Sequence, residues 1–183
     1  GKFTRGYLNT QTEILLKNEI EQVVRYYEIQ KMRYGERLKL DIYMDEDMEN
    51  ILVPAMSILT FVENAVKHQM KQKETLFILI WVRLQREKNQ VFLRVQDNGT
   101  GFTQEILTQL RSRENGFVEK EGEGLPEQEH IGIKNLMQRM KILYGEQASL
   151  CFENADTQGA VITVILPERR VNVEKTVEER DLK

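Results

Sequence analysis

Residues 91–101, VFLRVQDNGTG, decide how the rest of the sequence is interpreted. Their first six residues predict a strand with a buried face, and Asp97 follows that strand directly. A carboxylate at this place can accept a hydrogen bond from an exocyclic amine such as that of adenine. Gly99 and Gly101 allow a positive φ and the close approach of a flat ring. Alone, the same residues are also typical of a plain turn.

A long helix is predicted ahead of this strand, over residues 10–34. Thr10 and Glu13 have the spacing of a capping box, and Gly35 ends the helix. The apolar seam Leu16–Tyr27 recurs every three or four residues. We expect this seam to pack on a helix outside the chain or on a second protomer. Packing on the domain's own core is the alternative.

The remaining pattern interleaves strands and helices and ends in a hairpin. Pro54 suits the first turn of a second helix that reaches about Gln69. This order predicts a two-layer α/β sandwich with a mixed sheet and helices on one face, preceded by a helical segment. The other predicted elements are strands over 38–43, 76–84 and 91–96, helices over 103–111 and 132–144, a long loop over 112–129, and a hairpin over 150–166.

The second predicted helix carries three polar residues on one face. Asn64, Lys67 and His68 stand at i, i+3 and i+4. An amide oxygen, an ammonium and an imidazole together suit a hydrated Mg²⁺ beside phosphate oxygens, because Mg²⁺ prefers oxygen ligands and retains several waters. An ordinary solvated helix face is the alternative reading.

Two glycine-containing segments follow. Gly132 stands at the start of a helix after the long loop, where free N–H groups can bind an anion or can simply be capped. Gly159 precedes the last strand, where a small residue allows a ligand or the backbone to pack closely, or simply serves a hairpin turn. The order of these segments is more specific than any one of them.

With these motifs in this order, the chain resembles the C-terminal ATP-binding domain of sensor histidine kinases, in the GHKL (Bergerat) superfamily, and most of all the LytS/YesM type. The resemblance extends from about Leu16 to Pro167. The segments that carry it are 26–34 (the link to the phosphoacceptor helices), 54–68 (N box), 97–102 (G1 box), 132–140 (G2 box) and 159–163 (final strand).

The resemblance implies that the cofactors are ATP and Mg²⁺, with Asn64 as the metal ligand. It also implies that residues 103–131 form a lid over the nucleotide. The other implied roles are Lys67 and His68 near the phosphates, Asp97 on the adenine amino group, Gly99 and Gly101 along the base, Gly132, Ile133 and Asn135 closing over the phosphates, and Thr163 in the nucleotide site.

The sequence departs from this pattern at a few positions. Leu59-Thr60 replaces Gln-Pro, Gln69 replaces Gly, and His130 and Ile133 replace Gly and Leu. Thr60 also stands where related ATP-hydrolysing enzymes have a glutamate. Because no base is then placed to activate water, the pattern favours phosphoryl transfer to a protein over hydrolysis.

The resemblance divides the chain into a helical end of the dimerisation region (1–36), a catalytic domain (37–168) and a charged tail (169–183). The acceptor histidine is expected outside this chain, because residues 1–34 contain none. The alternative is that His68 or His130 is the acceptor. The implied partners are the phosphoacceptor helices of a homodimeric kinase and a response regulator. The implied location is the cytoplasmic part of a membrane-anchored bacterial sensor. A non-catalytic nucleotide-binding signalling module and a protein-serine kinase of the anti-sigma type are the alternatives.

Composition limits the other function classes. Lys and Arg number 26 against 29 Asp and Glu, a net charge of -3, which argues against a general nucleic-acid binder. One cysteine excludes an internal disulfide and a cysteine-cluster metal site. The longest apolar run, 76–82, is far shorter than the ~20 residues that cross a bilayer.

Overall fold

The protein was analysed as a computed structural model, which describes residues 13–114 and 131–171. Eleven helices and strands are described within these ranges, joined by short 3₁₀ turns at 35–37, 86–88 and 145–147. The elements are β1 (Glu13–Leu15), α1 (Leu16–Tyr34), β2 (Leu38–Met44), β3 (Leu52–Pro54), α2 (Leu59–Gln69), β4 (Leu76–Gln85), β5 (Gln90–Asp97), α3 (Gln104–Glu114), α4 (Ile131–Tyr144), β6 (Ser149–Asn154) and β7 (Ala160–Pro167).

Five strands form one sheet in the order β2-β4-β5-β7-β6. Strand β2 runs parallel to β4, and the other neighbours are antiparallel. The predicted mixed sheet is therefore confirmed. Short connections join β4 to β5 and β6 to β7, whereas α3, α4 and β6 lie between the antiparallel neighbours β5 and β7. The parallel pair is bridged by β3 and α2, as a parallel crossover requires.

One face of the sheet is covered and the other is open. Along β4, Ile78, Ile80 and Val82 are buried, whereas Phe77 and Arg83 on the opposite face are exposed. Apolar residues from α1, α2 and α4 join the covered face in a single core. The predicted two-layer arrangement is confirmed, because a sheet with one apolar face needs one layer of helices.

The start of the first helix differs from the prediction. Helix α1 begins at Leu16, and Glu13 lies in β1, where it pairs with Pro54 of β3. The backbone N–H of Leu16 donates to the carbonyl of Ile51 at 2.8 Å. The predicted capping box is wrong for Glu13, because pairing with a distant strand competes with helix formation; Thr10 lies outside the described residues.

The seam of α1 packs on the core of its own domain. Leu16 and Val23 are fully buried, and Ile20 and Tyr27 pack against the same cluster. The expectation that the seam meets another helix or protomer is therefore wrong, and the alternative is confirmed. In the described part of residues 1–36, α1 therefore shares its core with the sheet.

Helix α2 begins later than predicted. Pro54 ends β3, and residues 55–58 form turns before the helix starts at Leu59. Pro54 is thus not in the first turn of the helix, because its strand pairs with β1. Leu59, Val62 and Val66 form part of the buried side of α2.

Residues 169–171, predicted as the start of a charged tail, belong to the fold. Arg169 pairs with Glu13 at 2.6 Å, and its carbonyl accepts the N–H of Leu52 at 2.8 Å. Arg170 donates to the carbonyl of Asp47 at 2.5 Å. Residues 172–183, His130 and most of the predicted 112–129 loop lie outside the described residues. Within the described ranges, no helix has the length and apolarity needed to cross a membrane.

Candidate functional site

The carboxylate of Asp97 lies at the end of β5 on the covered face of the sheet. The residue is 8% exposed. Its Oδ1 accepts the backbone N–H of Gly99 at 2.7 Å and of Ala160 at 3.3 Å. Both of these donors use the same carboxylate oxygen.

Burial raises the pKa of Asp97 above its ordinary value, although three weaker influences oppose the shift. These are the hydrogen bonds from Gly99 and Ala160 and the positive charge of Lys73. A carboxylate at such a position costs stability, because its charged form is poorly solvated. Residues with this conflict are concentrated at functional sites.

Gly99 is covered by the side chain of Gln69 from the end of α2. A Cβ on Gly99 would lie 2.3 Å from Cδ of Gln69. The Oε1 of Gln69 also accepts the backbone N–H of Thr100 at 3.0 Å. The prediction of a positive φ is wrong for Gly99, where the absent side chain instead makes room for Gln69.

Gly101 does have a positive φ, +77°, as predicted. A Cβ there would lie 2.7 Å from Oδ1 of Asn154. The Asn154 side chain accepts the N–H of Phe102 at 2.7 Å and donates to its carbonyl at 2.9 Å.

At Gly159, with φ +110°, a Cβ would lie 1.8 Å from the carbonyl oxygen of Asp97. The hairpin therefore holds the 97–102 loop in place.

Asn64 lies in the second turn of α2, and it is a half-buried residue whose Nδ2 atom is buried. Its Nδ2 has no hydrogen-bond partner among the described residues. Because amide oxygen and nitrogen are distinguished only by their partners, a rotation of the amide places Oδ1 at the same point. A buried amide that still needs a partner fits the ligand role predicted for Asn64.

Lys67 and His68 share this part of α2, as predicted. Lys67 is exposed, and His68 is half-buried and has an interaction partner within the protein. Glu63, the acidic residue of α2, acts on Tyr26 of α1. Burial first and the Glu63 charge second raise the pKa of Tyr26 to about 12.

The start of α4 lies against α2. A Cβ on Gly132 would lie 3.1 Å from Cγ2 of Thr60, which is one turn before Asn64. Asn135 is exposed, in keeping with a contact to a ligand. The side chain of Ile133 belongs to the hydrophobic core, so only its backbone is available to a nucleotide.

Thr163 does not face the site. It pairs directly with Arg94 across β5 and β7, and its Oγ1 accepts from Nε of Arg94 at 3.3 Å. Directly paired residues share one face of a sheet, and Arg94 lies on the face opposite Asp97. The predicted contact of the Thr163 side chain with nucleotide is therefore wrong.

Two residues of the site had no role in the sequence prediction. Gln69 was noted only as a departure from the expected glycine, and Asn154 was not singled out. Asn154 contacts a backbone 52 residues away. No local sequence pattern predicts a contact over that distance. For Gln69, by contrast, a long polar side chain at the end of the helix that carries Asn64 is a signal from which a contact could have been predicted.

Comparison with known sequences identifies a family and several relatives. Residues 55–170 match the family described as histidine kinase-, DNA gyrase B-, and HSP90-like ATPases. A sensor protein LytS from Oceanobacillus iheyensis is 29% identical over 170 residues, which is 92% of this chain and 28% of that protein. A sensor histidine kinase/phosphatase LytS from Staphylococcus aureus is 30% identical over 87% of this chain and 26% of its own length. The chain thus spans about a quarter of the curated relatives that it matches.

Solved structures with the same fold include the mycobacterial sensor histidine kinase MprB, with a TM-score of 0.60 and 15% identity over 87% of this chain and 99% of that one. The catalytic domain of histidine kinase ThkA has a TM-score of 0.60 and 16% identity, over 87% and 98%. These likenesses establish the fold. The match over residues 55–170 shows that the chain belongs to the family of histidine kinase-, DNA gyrase B-, and HSP90-like ATPases.

Proposed function

We propose that this chain is the ATP-binding catalytic domain of a two-component sensor histidine kinase. The buried Asp97 carboxylate is the observation that carries the proposal. One of its oxygens fixes the 97–102 loop and the other is left to a ligand. A carboxylate held in this way selects a base with an exocyclic amino group, because it accepts and cannot donate.

Mg²⁺ would be held through the amide oxygen of Asn64. The metal would offset the charge of the triphosphate. Lys67, on the same helix and exposed, would contact phosphate oxygens. The exposed Asn135 and the backbone at the start of α4 would contact the phosphates from the opposite side, since N–H groups at a helix start favour anions.

Transfer to a histidine is favoured over hydrolysis. On α2, Thr60 is buried against Gly132, and Glu63 lies near Tyr26, so neither is placed to activate water. In the transfer, a neutral imidazole nitrogen forms a bond to the γ-phosphorus and the bond from phosphorus to the ADP oxygen breaks. The imidazolium proton is then lost to solvent. The protein has mainly to position the reactants.

The acceptor histidine would lie in phosphoacceptor helices outside this chain, in a homodimeric kinase that passes the phosphoryl group to a response regulator. We place the domain on the cytoplasmic side of a membrane-anchored bacterial sensor. The sensor-kinase names of the relatives support these assignments.

The test has two stages. Calorimetric titration of the chain with ATP and Mg²⁺ should give one site. The chain should then phosphorylate a separate fragment carrying the phosphoacceptor helices of the same kinase, and the phosphate should be acid-labile. Binding without transfer would indicate a signalling module, and acid-stable phosphoserine on a partner would indicate a serine kinase. Absence of binding would overturn the proposal.

Replacement of the metal ligand gives a first prediction. Asn64→Ala should abolish most Mg·ATP binding, a loss of about tenfold or more, because one directed oxygen ligand is removed. The fold should persist, since Asn64 has no hydrogen-bond partner for Nδ2 among the described residues. Asn18→Ala, at an exposed amide on α1, is the matched control. Equal affinity of the two variants for Mg·ATP would contradict the assignment of Asn64.

A further inference from the structure

A buried carboxylate from α1 caps the start of the Asn64 helix. Glu19 is fully buried. Its Oε1 accepts the N–H groups of Ile58 and Leu59 at 3.0 Å each, and its Oε2 accepts the N–H of Met56 at 3.1 Å. The first amides of a helix lack partners within it, and they carry partial positive charge. Glu19 supplies both the acceptors and the opposite charge.

The cap of α2 is supplied by α1, although Ser57, next to the start of α2, has a side chain that could cap the helix. Ile58 at the N-cap of α2 makes no side-chain bond. The Oγ of Ser57 beside it is buried, with no partner among the described residues. Met56 has a φ of +68°, a conformation that a side chain disfavours, and its N–H is held by Glu19. A carboxylate is costly to bury, so a cap used only for stability would be made more simply by Ser57.

The other end of α2 is held from the same segment. Arg37, three residues after α1, donates to the carbonyl oxygens of Met70 and Glu74 at 3.1 Å and of Lys73 at 3.0 Å. The Met70 carbonyl, at the C-cap of α2, carries partial negative charge that the guanidinium complements, and Lys73 and Glu74 lie in the connection that follows the helix. The segment from α1 to Arg37 therefore contacts both ends of α2 with the favourable charge at each.

We propose that Glu19 and Arg37 are positioning residues that tie the Asn64 helix to α1, so that the Mg²⁺-dependent part of ATP binding depends on the placement of α1. The inference rests on the proposed function. Asn64 lies five residues after Leu59, so a shift at the start of α2 moves the metal ligand. At the adenine end, the Asp97 carboxylate accepts from Gly99 and Ala160, and α2 contacts the 97–102 loop through Gln69, at the opposite end of the helix from Glu19.

Glu19→Gln tests the tie with little change in shape. The amide retains one oxygen, but its NH₂ then faces a backbone N–H. ATP affinity is measured with saturating Mg²⁺ and again with EDTA. The ratio of the affinity with Mg²⁺ to the affinity with EDTA is the gain due to Mg²⁺. We expect this gain to fall about tenfold, the scale of one lost charge–dipole contact. Adenosine affinity should stay within about twofold, because Glu19 bonds the start of α2, whereas the 97–102 loop is contacted by Gln69 at its end.

Glu21→Gln and Arg25→Gln are the matched controls, since these residues form an exposed pair on the same helix. Both should keep the gain of the unaltered chain. Arg37→Gln, at an exposed side chain, should reduce the gain about threefold and supplies the answer if Glu19→Gln does not fold. An unchanged gain in a folded Glu19→Gln or, failing that, in Arg37→Gln would overturn the inference. Absence of ATP binding by the unaltered chain would instead overturn the proposed function.

Discussion

At the scale of single residues, the buried Asp97 carboxylate lowers the stability of the unliganded protein and raises its affinity for ATP. Asp97→Asn retains an oxygen for the N–H groups of Gly99 and Ala160, but its NH₂ faces the ligand's amino group. ATP affinity should fall by about 1.5–3 kcal/mol, the value of a hydrogen bond to a charged group. The unliganded protein should become more stable by roughly 0.5–2 kcal/mol near pH 7. Calorimetric titration and urea unfolding measure the two effects.

The sign of the stability effect follows from the pKa of Asp97. Because burial raises this pKa in the folded state, folding favours the protonated form, and the stability it confers is lost as pH rises through the raised pKa. The advantage of Asp97→Asn should therefore shrink as pH falls through that pKa, and ATP binding by the unaltered chain should weaken over the same interval. A stability difference that grows toward acid pH would contradict this account.

At the scale of elements, the 97–102 loop depends on contacts from α2. Gly99→Ala would place a methyl group against Gln69, whose flexible side chain can move only by giving up the N–H of Thr100. Gly99→Ala and Gln69→Ala should each cost about 1 kcal/mol, the value of one hydrogen bond. In a double-mutant cycle the second change should add little, because both remove the same contact. Additive losses in urea unfolding would show that the two residues act independently.

Position 159, in the β6–β7 hairpin, requires glycine both for its backbone conformation and for lack of space. Gly159 has a positive φ, and a Cβ there would collide with the Asp97 carbonyl, whereas Gly145 has a positive φ with open space around it. Gly145→Ala should cost about 1 kcal/mol from backbone strain alone. Gly159→Ala should cost clearly more and should also weaken ATP binding, because the Asp97 backbone must shift. Similar unfolding midpoints for the two variants would argue against the collision.

Local pattern gave most elements and the order of the boxes, because apolar periodicity reflects which face is buried. Local pattern fails where a contact with a residue far along the sequence determines the structure. Glu13 and Pro54 were assigned to helices, yet they pair with each other across 41 positions of sequence. Thr163 was assigned to the nucleotide site, but its face follows from the register of β7 on β5, which no single segment encodes. The contact of Gln69 with Gly99 depends in the same way on how α2 meets the loop.

At the scale of the whole molecule, the stable unit is larger than the segment that matches the family. The match begins at residue 55, whereas β2, β3 and all of α1 lie before it. Leu16, Val23 and Leu38 from this earlier part are fully buried in the common core. The fold that holds the nucleotide site therefore includes the segment that leads toward the expected phosphoacceptor helices.

Leu16→Ala tests this conclusion. Leu16 is fully buried in the core. Its truncation to alanine should therefore lower the free energy of unfolding by about 2–5 kcal/mol, the range for a cavity left by a leucine. Met32→Ala, at an 89% exposed side chain on the same helix, should change stability by less than about 0.5 kcal/mol. Urea unfolding followed by fluorescence of Trp81, which lies in β4, reports on the sheet rather than on α1 itself. A single transition shifted by Leu16→Ala would show that α1 and the nucleotide-binding sheet unfold together, whereas an unshifted Trp81 signal would mean that α1 is a separate unit after all.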